Sequence, residues 1–277
     1  MENKSITYTI TPPRGFVNIN LPELWRYRDL LYIFVWRDIK VRYKQTILGI
    51  LWAIFQPFIT MVIFSVFFGK LAKVPSDNIP YPVFVYSGLL LWNYYSTSLT
   101  NASNSLVENE SIVKKIYFPR LILPLSATAT PIIDFCFAFI ILIGIMIYYH
   151  IYPNPLNLLL IPILLIISYI SAAGLGLFLS AVNVKFRDVR YILPFFIQTL
   201  MFITPVIYPS SIVPQKYQWL INLNPMTGVI STARTALLQN GSINWQQLGI
   251  SLLIGVIVLI FGITYFRKTE RFFADIL

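Results

Sequence analysis

The 277-residue chain is 57% hydrophobic and only 12% charged, and its mean hydropathy is +0.69. A soluble domain carries about 25% charged residues, so this composition cannot cover a water-facing surface and excludes an ordinary soluble protein. The formal net charge is +10. Because the basic residues concentrate on one side of the predicted membrane topology, this charge is assigned to contact with anionic lipid headgroups, without nucleic acid as a partner.

Six apolar segments are long enough to cross a bilayer, which requires about 20 helical residues for roughly 30 Å of hydrocarbon. Runs such as FCFAFIILIGIMIYY and LLLIPILLIIS are apolar on all sides, whereas the strands of a transmembrane barrel alternate apolar and polar residues. The sequence therefore predicts an all-α membrane protein with six transmembrane helices. They are expected at about residues 48–69, 81–101, 124–149, 156–182, 191–208 and 247–266.

The first element in chain order is a predicted helix over residues 22–45, PELWRYRDLLYIFVWRDIKVRYKQ. At 100° per residue, its basic residues gather on one side and its aromatic residues lie roughly opposite. Such a helix lies in the membrane interface, either as a plain anchor or as a gate or docking collar at the cytoplasmic mouth. The chain then divides into a cytoplasmic tail with this interface helix, 1–47, and a six-span domain, 48–277. The candidate gate residues are Arg37, Lys40, Arg42 and Tyr43.

Gln56 and Pro57 lie in the middle of the first predicted span, shortly after a block dense in basic residues. A proline removes a backbone donor and kinks the helix, and a glutamine amide in hydrocarbon needs a hydrogen-bonding partner. Either neighbouring helices satisfy Gln56 or it faces a wet pathway. The combination of Gln and Pro favours the pathway.

The basic residues are distributed unequally between the two sides of the membrane. The opening residues, MENKSITYTITPPRGF, contain no apolar core of a cleavable signal, so we expect the N-terminus to stay in the cytoplasm. With six spans, 17 of the 21 Lys and Arg residues then lie on the cytoplasmic side and 4 on the other. This agrees with the positive-inside rule and predicts that both termini are cytoplasmic. The four outer residues are Lys70, Lys73, Lys216 and Arg234.

Residues 106–124, LVENESIVKKIYFPRLILP, connect the second and third predicted spans in the cytoplasm. The acids precede the bases, and this order complements the helix dipole and suits a short helix lying parallel to the membrane. The stretch is either a solvated loop or a contact for a cytoplasmic partner. The charged candidates for that contact are Glu108, Glu110, Lys114, Lys115 and Arg120.

Residues 209–246 join the fifth and sixth predicted spans on the outer side. The segment is too apolar for a solvated loop, yet prolines and Gly228 divide it into pieces too short to cross the membrane. Paired re-entrant or interfacial helices fit this pattern. Trp219 and Trp245 are the predicted interface anchors.

Few side chains are suited to chemistry. Asp134 is the only acid within a predicted span, whereas a proton relay uses several ionisable groups at membrane depth, so we expect a structural, hydrogen-bonded or protonated Asp134. The single cysteine, Cys136, excludes an internal disulfide, and the lone His150 belongs to no metal cluster. No Gly-x-x-x-x-Gly-Lys-Ser/Thr phosphate loop is present, so this chain does not bind ATP by that route.

Four motifs follow one another along the chain: RDIKVRYKQTILGILWAIFQP, KKIYFPRLILPLS, FRDVRYILPFFIQTLMFITPVIYP and LNPMTGVISTAR. In their order and spacing, they resemble the ABC-2-type permeases that export cell-surface polysaccharides. The resemblance covers roughly residues 20–270 and is strongest to the Wzm type, which exports O-antigen. Teichoic acid and capsule exporters are near relatives.

The resemblance implies a homodimeric transport subunit, itself not an enzyme, in which each copy docks one separate cytoplasmic ATPase that binds ATP and Mg. Residues 106–120 would be the coupling helix, residues 22–45 the helix that gates the inner mouth, and residues 209–240 the outer gate. The substrate would be a polysaccharide linked to undecaprenyl pyrophosphate, moved across the bacterial cytoplasmic (inner) membrane. Spans one and five would line the channel between the copies, with Gln56, Phe195, Gln198 and Phe202 as candidates.

Two other classes of protein compete with a polysaccharide exporter. A secondary transporter requires ion-coupling groups in its spans and internal repeats, and neither is clear in this sequence. A membrane enzyme acting on lipid-linked sugars requires acid clusters such as Asp-x-Asp near the interface, and the sequence contains no such pair. Within the exporter class, teichoic acid and capsular polysaccharide are alternative substrates.

Overall fold

The structure, a computed structural model, describes residues 21–44, 47–239 and 241–273. All regular structure in these ranges is helical, which confirms the predicted fold class. A π-helix, Ser65–Leu71, continues α3, and a short 3-10 turn, Ser210–Ile212, follows α10. The α-helices in chain order are α1 Leu21–Arg26, α2 Arg28–Lys44, α3 Ile47–Phe64, α4 Tyr81–Glu108, α5 Glu110–Lys115, α6 Ile122–Ala129, α7 Ile132–Tyr148, α8 Pro155–Leu158, α9 Leu160–Lys185, α10 Val189–Ile203, α11 Gln215–Asn222, α12 Pro225–Leu238 and α13 Trp245–Glu270.

In the described ranges, four helical stretches are long and apolar enough to cross a membrane. They coincide with the first, third, fourth and sixth predicted spans. The fourth predicted span comprises α8 together with α9. The second and fifth predicted spans, α4 and α10, differ in composition or length, so the count of six remains a prediction. The four stretches are Ile54–Leu71, Ile122–Tyr148, Pro155–Lys185 and Trp245–Glu270.

α4 is long but polar. The prediction ended this helix near residue 101, whereas the observed helix continues to Glu108. Its polar C-terminal half stays helical because neighbouring helices bury it. Ser103 and Ser105 are buried, and Asn183 of α9 donates a hydrogen bond from Nδ2 to the Ser103 carbonyl at 3.0 Å. In this helix, tertiary packing outweighs the loop-like composition of the sequence.

α10 is apolar but short. Its 15 residues extend about 22 Å, less than the roughly 30 Å of a hydrocarbon core. The helix ends at Ile203, five residues before the predicted end, and Thr204 has an extended backbone with ψ of 138°. Thr204 precedes Pro205, and the residue before a proline avoids helical backbone angles.

The third predicted span consists of two helices, α6 and α7, which meet at Thr130 and Pro131. This junction places Asp134 in the first turn of α7. The positive end of a helix dipole stabilises a negative charge at such a position. The one acid inside the predicted spans therefore lies at the start of a helix and not in the middle of one.

Small residues allow α9 and α13 to cross at very close range. A Cβ atom built on Gly262 would lie 2.0 Å from the carbonyl oxygen of Gly174, and one built on Gly174 would lie 2.5 Å from the backbone nitrogen of Leu259. Helices in membranes associate through small residues of this kind, because lipid supplies no hydrophobic force between them. The α9–α13 pair forms one side of the structure, and α4 packs along the other side of α9.

Buried apolar residues form two clusters. The larger one lies among α4, α7, α9, α10 and α12. The smaller one, which we call the cytoplasmic cluster after the predicted topology, joins α2, the end of α4, α5, the loop after α5, α6, the C-terminal half of α9 and the end of α13 with the residues after it. Its members are Phe34, Leu106, Val113, Phe118, Leu121, Ile122, Leu123, Leu177, Ala181, Val184, Phe266 and Phe273.

The close crossing makes a specific prediction about stability. Gly262→Ala places a methyl group against the α9 backbone, so the two helices must separate, and overpacking of this kind costs about 1–3 kcal/mol. We expect a lower midpoint of thermal unfolding in detergent, measured by the loss of the monodisperse peak in size-exclusion chromatography. The matched control is Gly249→Ala on the same helix, where no atom lies within 4 Å of the added Cβ. Equal midpoints for the two variants would contradict the described packing.

Candidate functional site

The interface helix is attached to the rest of the chain near its middle and at its C-terminal end. The middle is apolar: Phe34 of α2 is buried in the cytoplasmic cluster, and its ring centroid lies 5.8 Å from that of Phe118. Tyr32 and Trp36 of α2 are exposed. Exposed aromatic side chains are expected where a helix faces the membrane interface. Arg37 donates to the neighbouring Asp38 from Nε and Nη2 at 2.9 and 2.8 Å.

The C-terminal end of α2 is held by polar groups. Arg42 Nη1 lies 2.8 Å from Asp134 Oδ2, and the Tyr43 hydroxyl donates a hydrogen bond to Asp134 Oδ1. The ring of Tyr43 also meets the ring of Phe137 edge-on, with centroids 6.3 Å apart. This group of three residues, Arg42, Tyr43 and Asp134, is named the Asp134 contact. The lone acid of the predicted spans is thus paired with a cation and a hydroxyl from the interface helix.

Two polar cavities meet at Arg42. The first, named the cytoplasmic cleft, has a volume of about 470 Å³ and separates part of α2 from α4 and α6. The second, named the inner cavity, has a volume of about 100 Å³ and lies between α3, α4 and α7. Arg42 lines both, and Gln56, Asn93, Thr97 and Asp134 line the inner one. Polar groups therefore extend without interruption from the interface helix to the middle of the first predicted span.

The predicted channel residues of α10 lie on one face. Phe195, Gln198 and Phe202 are spaced like successive turns of a helix and are all exposed, Phe195 by 72%. Gln56 is exposed on α3. α3 packs against α4 and α7, whereas α10 packs against α4 and α9. One copy of the chain therefore brings three of the four residues together, and the fourth belongs to a separate surface.

The coupling residues are found on a smaller helix than predicted. Within residues 106–120, α4 continues to Glu108, and the separate helix α5 covers only Glu110–Lys115. Lys114 Nζ donates to Glu110 Oε1 at 2.6 Å, and this hydrogen bond, with the charge of Lys114 and a smaller effect of Arg187, lowers the pKa of Glu110. Arg187 belongs to the loop between α9 and α10, so that loop lies near enough to α5 for its charge to act on Glu110.

Apolar side chains also project from this surface. Ile116 and Tyr117, directly after α5, are 61% and 81% exposed, while Val113 and Phe118 are buried beside them in the cytoplasmic cluster. Exposed apolar groups rimmed by charges are typical of a protein interaction site. We name Glu110, Lys114, Lys115, Ile116 and Tyr117 the coupling surface.

Arg120 does not belong to that surface, because its polar groups are bonded within the chain. Its backbone N–H donates to Glu270 Oε1 at 3.2 Å, and its Nη1 donates to the Glu270 carbonyl at 2.5 Å. Glu270 in turn accepts a hydrogen bond from Arg267 at 2.9 Å. Arg120 therefore ties the loop after α5 to the cytoplasmic end of α13.

The outer segment is organised around a buried cation. Arg234 of α12 is 7% exposed, and its guanidinium carbon lies 3.7 Å from the centroid of the Phe84 ring. It donates to the carbonyls of Phe84 at 3.2 Å and Pro205 at 2.6 Å, and also to that of Val206. These carbonyls belong to the start of α4 and the segment just after α10. Arg234 thus fixes α12 to both.

The predicted pair of short outer helices is present as α11 and α12. Asn224, between them, caps α12 by accepting from the Met226 N–H at 2.9 Å, and its Nδ2 donates to Thr204 Oγ1 at 2.6 Å. α12 packs against α4, α9 and α13. The depth of these helices in a membrane stays a prediction.

Sequence reasoning missed three of these features. The partners of Asp134 are about 90 residues away in the sequence, and no local pattern links them. The predicted topology includes Arg234 only as one of four outer basic residues, although its place in the apolar run GVISTARTALL is a signal of burial. Ile116 and Tyr117 were part of a quoted motif, but only the charged residues were selected. In the part of the chain that the structure describes, no group of three or more His, Cys, Asp or Glu residues is arranged to hold a metal.

Comparisons with known proteins agree with this architecture. The family model described as "ABC-2 type transporter" matches residues 29–238. An "O-antigen export system permease protein RfbA" of Klebsiella pneumoniae is 32% identical over 249 residues, which are 90% of this chain and 95% of that protein. A protein of the same name from Myxococcus xanthus is 27% identical over 256 residues, 91% of this chain and 97% of that one.

A further relative carries a different name. The "Polysialic acid transport protein KpsM" of Escherichia coli is 28% identical over 243 residues, 85% of this chain and 91% of that protein. The family model covers well over half of the chain, and its matched range contains the coupling surface and most of the interface helix and of the outer segment. The chain therefore belongs to the ABC-2 type transporter family of membrane proteins.

Proposed function

We propose that this chain is the permease subunit of an exporter that moves a lipid-linked polysaccharide across the bacterial cytoplasmic membrane. The observation that carries the proposal is the similarity, over 85–91% of the chain, to permeases named for O-antigen export and polysialic acid transport. Of the two polymer classes, O-antigen is favoured, because the higher identity of 32% is to an O-antigen permease. The carrier lipid is proposed to be undecaprenyl pyrophosphate.

Energy is proposed to come from a separate cytoplasmic ATPase, which holds the ATP and Mg. The sequence contains no phosphate loop, and the coupling surface offers exposed apolar and charged groups for a partner. One ATPase subunit would dock on each permease. The hydrogen bond between Arg120 and Glu270 supports a second role for this region, which is to transmit movement to α13. Displacement of the loop after α5 would also displace the end of α13.

The polysaccharide is proposed to pass between two copies of this chain. The exposed face of α10 carries two aromatic rings and an amide, and aromatic faces tolerate a ligand that slides along them. A small solute is instead held in a closed pocket by a few convergent polar groups. Gln56 would join the α10 face only from the other copy, so the full set of predicted channel residues requires the homodimer.

The proposed function predicts a clear phenotype. Cells that synthesise the polymer but lack this chain should keep it inside, and the wild-type chain should restore it to the surface. Gln198→Trp should fail to restore it, because a bulky side chain narrows the path, while the ATPase still co-purifies. Leu253→Trp is the matched control, since Leu253 is also highly exposed but lies on α13. Surface polymer is measured by extraction and gel electrophoresis, and normal surface polymer without the chain would refute the proposal.

The coupling surface and Arg120 should give different defects. Tyr117→Glu places a charge in the apolar centre of the surface, so we expect at least tenfold less co-purified ATPase. Arg120→Ala leaves the surface intact but removes the charge-assisted hydrogen bond to Glu270, a contact typically worth about 1.5–3 kcal/mol. We expect this variant to bind the ATPase normally but to export several-fold less polymer per ATP hydrolysed.

The control for Arg120→Ala is Lys268→Ala, which removes an exposed cation near the same end of α13. It should leave both binding and export unchanged. Loss of ATPase binding in Arg120→Ala would show that Arg120 acts as a docking residue, contrary to its proposed role as a tie to α13.

A further inference from the structure

The interface helix α2 is attached to the rest of the chain at two points by contacts of different chemistry. The cytoplasmic cleft lies between these two points. The middle of α2 is held by the apolar contact of Phe34 with Phe118, and its end by the polar Asp134 contact. Between them, Val41 of α2 lines the cytoplasmic cleft, and Ala127 of α6 lines it from the facing helix. The helix packs against α6, and between its two attachments it borders a cavity of about 470 Å³.

The apolar attachment leads directly to the coupling surface. Phe118 comes directly after the exposed residues Ile116 and Tyr117. Both Phe118 and Phe34 are buried in the cytoplasmic cluster. Close-packed interiors transmit displacement, because they contain little free volume. A movement of the loop after α5 is therefore passed to the middle of α2.

The polar attachment leads to the proposed channel wall. Three residues after Lys44, the last residue of α2, the chain begins α3, which carries Gln56. Much of α3 and its π-helical continuation is exposed, with Trp52, Phe55 and Phe67 each more than half exposed. Within one copy, α3 packs against α4 and α7 on one side and is open on the other, so a displacement of the nearby α2 end acts on a helix that is held on one side only.

The Asp134 contact is suited to repeated opening. Arg42 is 40% exposed and Asp134 is 19% exposed at their side chains, and both border a cavity large enough for water. An ion pair beside water exchanges its partner for solvent at moderate cost, whereas an apolar contact of two buried rings has no such substitute. Asp134 also keeps the favourable helix dipole of α7 when Arg42 leaves.

From these four observations we propose that Asp134 is a positioning residue for transport. It holds the end of α2, and with it α3, in the closed position. In each transport cycle the Asp134 contact opens and the cytoplasmic cleft changes width. This inference rests on the proposed export function. In it, displacement of the coupling loop by the ATPase tilts α2 about the Phe34–Phe118 contact. The tilt separates Arg42 and Tyr43 from Asp134 and shifts α3 at the channel wall.

The first test restrains the cleft and leaves the Asp134 contact unaltered. In the Cys136→Ala background, Val41→Cys and Ala127→Cys are combined in the full chain, in membranes that contain its ATPase. Bifunctional thiol reagents of increasing length, each cleavable by dithiothreitol, join the two positions. We expect the shortest linker that reacts to reduce export at least tenfold while ATP hydrolysis continues. Longer linkers should restore export, and cleavage with dithiothreitol should reverse the block. The two single-cysteine variants, treated identically, should export normally.

Two results would overturn the proposal. Undiminished export with the shortest linker would show that the cleft keeps its width during transport. Failure of every linker to join the two residues would show that they do not face each other across the cleft. Neither result bears on the proposed function, which is judged separately by export of the unlinked protein.

The second test separates positioning from a purely structural role. Asp134→Asn retains the size of the side chain but removes the charge that holds Arg42, so α2 is released without ATPase input. We expect several-fold more ATP hydrolysed per polymer exported, at a normal amount of protein in the membrane. Asp134→Glu should largely restore the ratio, and Arg28→Gln, which removes a cation from the exposed start of α2, should not change it. A fall in protein amount with an unchanged ratio would mean that Asp134 is only structural.

Discussion

The structure depends on one constraint: a charged group that folding removes from water must find its partners inside the protein, because it otherwise loses its hydration without replacement. Arg234 meets this constraint with backbone carbonyls from two other segments and the face of Phe84. Asp134 meets it with Arg42 and Tyr43 of the interface helix. Each of these pairings joins elements distant in sequence, so the costly polar groups determine how the segments are arranged.

The two pairings differ in a way that bears on function. Arg234 is almost completely buried and donates to backbone carbonyls, so it joins the segment after α10, the start of α4 and α12. The Asp134 contact lies beside two cavities and joins exposed or half-buried side chains. The structure therefore combines a buried contact to backbone carbonyls at Arg234 with a contact beside two cavities at Asp134.

Much of the fold could be predicted from composition and periodicity alone. The all-helical class, the interface helix, four strongly apolar spans and the paired outer helices all follow from hydrophobic runs and prolines. The extent of α4 could not be predicted, since its polar half stays helical only because α9 buries it. The early end of α10 had a local signal in Thr204 and Pro205, but the apolar run that continues past them concealed it.

The candidate site was less predictable, because its contacts are non-local. Charge indicated that residues 106–120 form a special segment, but it did not show that Arg120 is bonded to Glu270, 150 residues away. The resemblance to a family selected Phe195, Gln198 and Phe202 as channel candidates, and the structure shows them exposed on one face of α10. Which surface packs against this face depends on how two copies of the chain associate. A single sequence indicates that association only through its resemblance to a family.

The central claim is that the transport path is formed between two copies of the chain, with α3 of one opposite α10 of the other. Intermolecular crosslinking tests this most directly. Two differently tagged copies in the Cys136→Ala background, one with Gln56→Cys and the other with Gln198→Cys, are expressed together with the ATPase and treated with a short thiol crosslinker in the membrane. We expect a covalent dimer that carries both tags, and that forms far less when either cysteine is moved to Leu253 on α13. Efficient crosslinking from Leu253, with none between Gln56 and Gln198, would contradict the claim.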